Sequence, residues 1–369
     1  LQILFRAARM NMSKRFGSVH RSRAFKPASL GAFLALALGS VTPGTAQGTA
    51  PAAGTPQTFL LSDTNSLTVT GGKAEPAEYL GRKAVRLTTT AESDIFAFVN
   101  GSAIQDGSID VDIAVHITTP PGVRMPGFTG IAFRARPDGS HYDMFYLRPR
   151  NSLAEDQAMR NHAVQYAAKP GYDWYPLRRQ WPWVYEAWAD LTPDQWMHVE
   201  IQLQGRTARL FLNGSEKPSL VVNGLKGEDL KGGIALWGYP GEESYFSNLR
   251  ITPAAPAPLC NCGEVAGTWH VSFRTDQGPF EGTMDLHREG SAVSGTWSGD
   301  LGNNRPVTGR WRDGYVELSF SGGWKDENPD VKPGPVAVRI AGWIDGDNGS
   351  GRVALEGRAD GQWTAERKK

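Results

Sequence analysis

The sequence predicts an all-β protein: an antiparallel β-sandwich followed by a small eight-stranded antiparallel barrel. Three observations carry this prediction. From about residue 58 onward, apolar and polar side chains alternate in steps of two. Gly 43 and Pro 24 among 369 residues supply many turns, and no long stretch shows helical spacing. Trp 12 is high for this length, and tryptophan recurs in Gly-x-Trp triplets near the C-terminus. Hydrophobic residues at 40% support packed cores, and 21% charged residues exclude wholesale disorder.

The first segment reads as a leader. Residues 1–62 hold no Asp or Glu but contain the bases Arg6, Arg9, Lys14, Arg15, Arg21, Arg23 and Lys26. An apolar run at 30–38 and the small residues Gly44, Thr45 and Ala46 follow. That order is the pattern of a secretory signal peptide, and the run is shorter than the ~20 residues a membrane span needs. The expectation is export to the periplasm or the exterior, with cleavage near Ala46 and no membrane span. Met12 is a candidate start, which would place 1–11 upstream of it. Loss of the seven positive charges in 1–46 takes the formal charge from +1 to −6. A mildly acidic chain excludes a dedicated nucleic-acid binder. Residues 47–57, rich in Gly, Ala, Thr and Pro, read as a flexible lead-in.

The sandwich is expected over 58–252. Ile109, Val111, Ile113, Val115 and Ile117 face one way, and Asp110, Asp112 and His116 face the other. Met197, Val199, Ile201 and Leu203 repeat the pattern, and Asn213-Gly214 supplies a hairpin turn before 218–222. Further strands are predicted at 58–62, 83–89, 95–100, 128–136, 141–148, 232–238 and 244–251. Residues 253–264 form a Pro/Ala linker that ends in Cys260-Asn-Cys262. Two cysteines exclude a disulfide scaffold, and a ring closed between Cys260 and Cys262 would be strained and labile.

The barrel is expected over 265–369. Gly267-Thr-Trp269, Gly295-Thr-Trp297, Gly309-Arg-Trp311 and Gly361-Gln-Trp363 are read as strand starts. Eight short strands joined by short loops close most simply as an up-and-down barrel, with Trp269, Val271 and Phe273 inside.

The succession 196–204, 208–214, 232–237 and 245–251 resembles the closing strands of concanavalin A-like, laminin G-like jelly-roll sandwiches. The features that carry it are a Trp before a strand, the Asn-Gly hairpin and a closing Tyr245-Phe-Ser-Asn248 strand. It is similar in particular to the bacterial exported 3-keto-disaccharide hydrolase-like family. The resemblance covers about 58–252 and implies a jelly-roll fold and sugar-related activity. No paired-acid strand of the sandwich glucanases is present; Asp110 and Asp112 come nearest. The C-terminal region is similar to small lipocalin-like or avidin-like barrels, which implies no ligand by itself. Its expected role is accessory, with a cell-envelope partner.

Chemistry concentrates in 141–188. Residues 172–188 hold Tyr172, Trp174, Tyr175, Trp181, Trp183, Tyr185 and Trp188, an excess in a long Pro-interrupted insert. Aromatic rings cover the apolar face of a pyranose, while Arg, Asn and carboxylates serve its hydroxyls. The predicted carbohydrate site comprises Arg148, Arg150, Asn161, Tyr166, Trp174, Tyr175 and Trp181. For an enzyme, His162 would be the general base and Glu155 or Asp156 its partner acid. A third class is a structural envelope protein whose insert rings form a mini-core. No cofactor is expected; calcium finds no ligand spacing in support.

Overall fold

The computed structural model describes residues 54–89, 93–119, 125–257, 264–324 and 333–369. The expected leader at 1–46, the Cys260-Asn-Cys262 segment and most of the expected lead-in therefore lie outside the described residues.

In chain order the first strands are β1 (Gln57–Phe59), β2 (Leu67–Thr70), β3 (Lys73–Tyr79), β4 (Arg82–Thr88), β5 (Ile95–Val99), β6 (Gly107–Ile117), β7 (Thr129–Ala135) and β8 (Tyr142–Leu147). The insert follows as α1 (Pro149–Ser152), α2 (Gln157–Arg160), β9 (Val164–Lys169), α3 (Trp174–Gln180) and β10 (Glu186–Ala187). The sandwich closes with β11 (Met197–Gln204), β12 (Thr207–Leu212), β13 (Leu220–Val222), β14 (Gly233–Gly238) and β15 (Glu242–Pro253). Asn213 and Gly214 both have positive φ, as the turn after β12 requires.

Two antiparallel sheets face each other. One runs β13-β12-β11-β6-β15-β4-β3, with β1 also paired to β15; the other runs β10-β9-β8-β7-β14-β5-β2. Neighbours distant in sequence, such as β6 with β15 and β7 with β14, are the crossed connections of a jelly roll. Ile109, Val111, Ile113 and Val115 are fully buried against Ile131, Phe133 and Phe145 of the facing sheet.

Several elements were not legible in the alternation. β3 carries Lys, two Glu and Pro76, a composition tolerated because the strand is a sheet edge. β9 lies inside what reads as a polar loop, yet all but its last residue are buried, so no alternation marks it.

The barrel strands are β16 (Gly267–Thr275), β17 (Gly278–Glu289), β18 (Ala292–Gly299), β19 (Gly302–Arg312), β20 (Tyr315–Trp324), β21 (Gly334–Asp345), β22 (Asn348–Leu355) and β23 (Ala359–Arg367). Each pairs with the next, and β23 returns to β16, closing the ring. Trp269, Val271 and Phe273 fill the interior with Trp297 and Trp363. The reading of every Gly-x-Trp as a strand start is corrected. Only Gly267 opens a strand; Gly295, Gly309 and Gly361 lie within β18, β19 and β23. A Cβ at any of these three would overlap a carbonyl oxygen of the neighbouring strand. Glycine there permits the tight coiling of a small barrel.

Sandwich and barrel form one compact unit. Tyr315, Ala341 and Ala354, on the outside of the barrel, join the apolar core of the sandwich. Lys226 is buried beside Tyr172, Tyr185 and Tyr315, with its Nζ paired to Glu317, and Arg206 Nε donates to Asp313 at 2.9 Å. Among the described residues no helix is long and apolar enough to cross a membrane.

Candidate functional site

The two sheets differ on their outer faces. The β6–β11 sheet turns Asp110, Asp112, His116 and His198 outward, as an ordinary solvated face does. The β7–β8 sheet instead turns Phe96, Phe98, Tyr142, Met144, Tyr146 and Trp237 outward, and among the described residues no further sheet covers them. Packed together, all of these but Phe96 are buried, 4–8% exposed, and the exposed rings beside them are Trp174, Tyr175 and Tyr239.

Its rings interlock. Tyr146 and Trp237 stand 5.3 Å apart between centroids, and Phe128 lies 5.9 Å from Tyr146. Helix α3 closes one side. It starts at Asp173, has Pro176 in its first turn, and places Trp174 and Tyr175 over the sheet. Trp174 and Tyr175 meet edge to face at 5.6 Å and are 45% and 59% exposed. The result is a groove of about 460 Å³ lined by Tyr142, Tyr146, Trp237, Trp174 and Tyr175, with Asp94, Asp173 and Lys169 at its polar margin. That volume falls within the ~300–1,000 Å³ of small-ligand sites.

The polar groups are available. Asp173 caps α3 without a side-chain hydrogen bond, so its carboxylate remains free for the groove. Trp237 Nε1 is buried with no acceptor among the described residues. Burial pushes the Tyr146 phenol up to about 12 and that of Tyr142 higher still, so both hydroxyls stay neutral donors and acceptors at neutral pH.

Beyond Tyr146 the same face becomes ionic. Arg178 of α3 grips Glu186 through Nε to Oε1 at 2.8 Å and Nη2 to Oε2 at 2.5 Å. Arg148 donates to Gln165 Oε1 at 2.9 Å, lies 3.6 Å from Glu186 and rests over the Tyr146 ring. His162 Nδ1 stands 2.8 Å from Glu186 Oε2, and its imidazole lies parallel to Trp183 at 5.6 Å. Desolvation lowers the His162 pKa, against the opposing pull of Glu186, so the ring is neutral at neutral pH.

The predicted site residues thus scatter. Trp174 and Tyr175 line the groove, and Arg148 rests over the Tyr146 ring without lining it. Arg150 is exposed on α1, with its N–H bonded to the Pro126 carbonyl. Asn161 ends α2 and accepts from Gln157 at 2.7 Å. Tyr166 must be corrected: it is 0% exposed between the sheets, donates to Asp143 and accepts from the Lys226 N–H, so no sugar can reach it. Trp181 is likewise a core residue, 7% exposed. The acid beside His162 is Glu186, whereas Glu155 and Asp156 are exposed, and Asp156 instead caps α2 at the Ala158 N–H. Tyr142, Tyr146 and Trp237 were missed, although the loss of alternation in 142–147 was a readable sign of a strand apolar on both faces. Among the described residues no group of three His, Cys, Asp or Glu could hold a metal.

No family model and no curated protein matches the chain. Solved structures similar to it include the carbohydrate-binding module CBM66 from Bacillus subtilis, at 13% identity and TM-score 0.36 over 50% of this chain and 95% of that one. A galectin-like-fold protein of unknown function from Bacillus subtilis matches at 13% and TM-score 0.39, over 56% of this chain and 99% of that one. Domain 4 of AbnA, a GH43 extracellular arabinanase from Geobacillus stearothermophilus solved with arabinotriose, matches at 16% and TM-score 0.30, over 56% and 85%.

Proposed function

We propose that the protein binds carbohydrate in the groove between α3 and the outer face of the β7–β8 sheet. The observation that carries this is the exposed pair Trp174 and Tyr175 set over a floor of buried aromatic rings, with charged groups at the margin. Trp174 and Tyr175 supply flat surfaces for the C–H face of a sugar ring. Asp94, Asp173, Lys169 and the tyrosine hydroxyls stand where ring hydroxyls would need partners. Binding without turnover is favoured over catalysis because Glu186, the acid nearest His162, is already held by Arg178 through both carboxylate oxygens. The basic, acid-free leader supports export as the setting, and the position of the barrel against the sandwich core supports an accessory role for it.

The test is a glycan array followed by titration calorimetry on the full chain. Trp174→Ala should weaken the best ligand about tenfold, or ~1.4 kcal/mol, with little change in Tm. A Tm drop with unchanged affinity would make the ring structural. Release of sugar from a 3-keto-disaccharide, lost in His162→Ala, would replace binding with the enzymatic reading.

A further inference from the structure

We propose that the cleft between sandwich and barrel is a second saccharide site, selective for a sugar that carries a carboxylate. The inference rests on the reading of the chain as a glycan binder, but on different residues. The cleft holds about 710 Å³, more than the groove, and both folds contribute walls. Trp183 and Tyr185 come from the sandwich, and Tyr315, Trp343 and Arg352 from the barrel.

Its aromatic platform is fixed in place. Trp183 is 57% exposed at a φ of 65°, a conformation uncommon for a bulky residue. One face of its indole lies on His162, which Glu186 and Arg178 anchor in turn. Across the cleft, Trp343 meets Tyr315 edge to face at 5.1 Å. Strained backbone held by a built support is the pattern of a functional position.

The charge in the cleft points to the ligand. In the pairing of β21 with β22, Trp343 lies opposite Ser350 and Ala341 opposite Arg352, so all four share the outer face of the barrel. Arg352 is exposed, and its guanidinium has neither a carboxylate partner nor a hydrogen bond among the described residues. Other arginines of the barrel are occupied, Arg339 by Glu356, Arg367 by Asp347 and Arg312 by Glu317. Glu186, the one acid in the wall among the described residues, is already engaged by Arg178. A free guanidinium beside two indoles suits a pyranose whose carboxylate takes paired N–H donors while its ring rests on tryptophan.

The experiment titrates the full chain with trigalacturonate, its methyl ester and a neutral glycan that binds the groove. Trigalacturonate should bind, the ester at least tenfold more weakly. Arg352→Gln should abolish that preference without altering Tm or neutral-glycan affinity, and Trp183→Ala should weaken trigalacturonate. Trp174→Ala should leave trigalacturonate unaffected. Absent binding, equal binding of acid and ester, or unaltered binding by Arg352→Gln each overturns the proposal. If Trp183→Ala lowers Tm, Arg352→Gln decides alone. Failure of Trp174→Ala to affect any glycan, with trigalacturonate still dependent on Arg352, removes the groove reading and leaves this one.

Discussion

Trp174 and Trp181 come from one aromatic-rich stretch and end in opposite environments. The end of α3 separates them: seven residues make two turns, which would put both on one side of a helix, but Trp181 is the C-cap, with a non-helical φ of −137° and ψ of 71°. Trp174 and Arg178, one turn apart, share the outer side of α3, and the guanidinium lies 4.8 Å from the indole. Leu177, on the inner side of α3, and Trp181, turned away where the helix ends, enter the core. An excess of tryptophan in a segment therefore says nothing about which rings face solvent. Glu242 is a second residue whose behaviour depends on place. It is buried at the start of β15, accepts from the Phe128 N–H at 2.8 Å, and its pKa is pushed up to about 9 by burial, with Phe128 and Arg150 opposing. The native state therefore holds more protons than the unfolded chain between about 4.5 and 9. The stability tied to this carboxyl is complete below that window and is lost as pH rises through it. Tm should fall over that range, and Glu242→Gln, which keeps an acceptor for Phe128, should flatten the slope in thermal melts. An identical slope in the variant would show that Glu242 is not the group responsible.

At the scale of elements, the strands with clean alternation declared both their position and their facing, whereas those without it declared at most their position. β6 and β11 each have one buried and one solvated face, so their sequences declare both position and orientation. β8 is buried on both faces, Asp143, Phe145 and Leu147 inward and Tyr142, Met144 and Tyr146 outward. Its sequence predicts a strand but cannot say that the outer face is a groove. In the barrel the triplets predicted strands correctly and misjudged where they begin, because their glycines answer to the adjacent strand. A Cβ at Gly309 would overlap the Glu317 carbonyl of β20, whereas one at Gly334 would meet nothing. Gly309→Ala should cost about 1–3 kcal/mol, read as a lower Tm, and Gly334→Ala should be near neutral. Equal effects would show that coiling of the sheet does not need glycine at 309.

At the scale of the whole molecule, the linker composition predicts two separable folds, yet the core of the sandwich runs into the barrel through Tyr315, Ala341 and Ala354. The phenol of Tyr315 covers Gly224 so closely that a Cβ there would overlap it. Calorimetry on the wild type should show one unfolding transition. Gly224→Val should push the barrel from its seat and split the trace in two; a single transition in the variant would place the coupling elsewhere. The amino-acid sequence alone determined the all-β class, the sandwich-then-barrel order and the inward faces of the alternating strands. Those follow from side-chain period and turn chemistry, which are local. Tertiary structure decided that Glu186 rather than Glu155 or Asp156 meets His162, that Tyr166 and Trp181 are core, and that a groove and a cleft exist at all. Each of these depends on strands brought together from distant parts of the chain, and no local pattern encodes that.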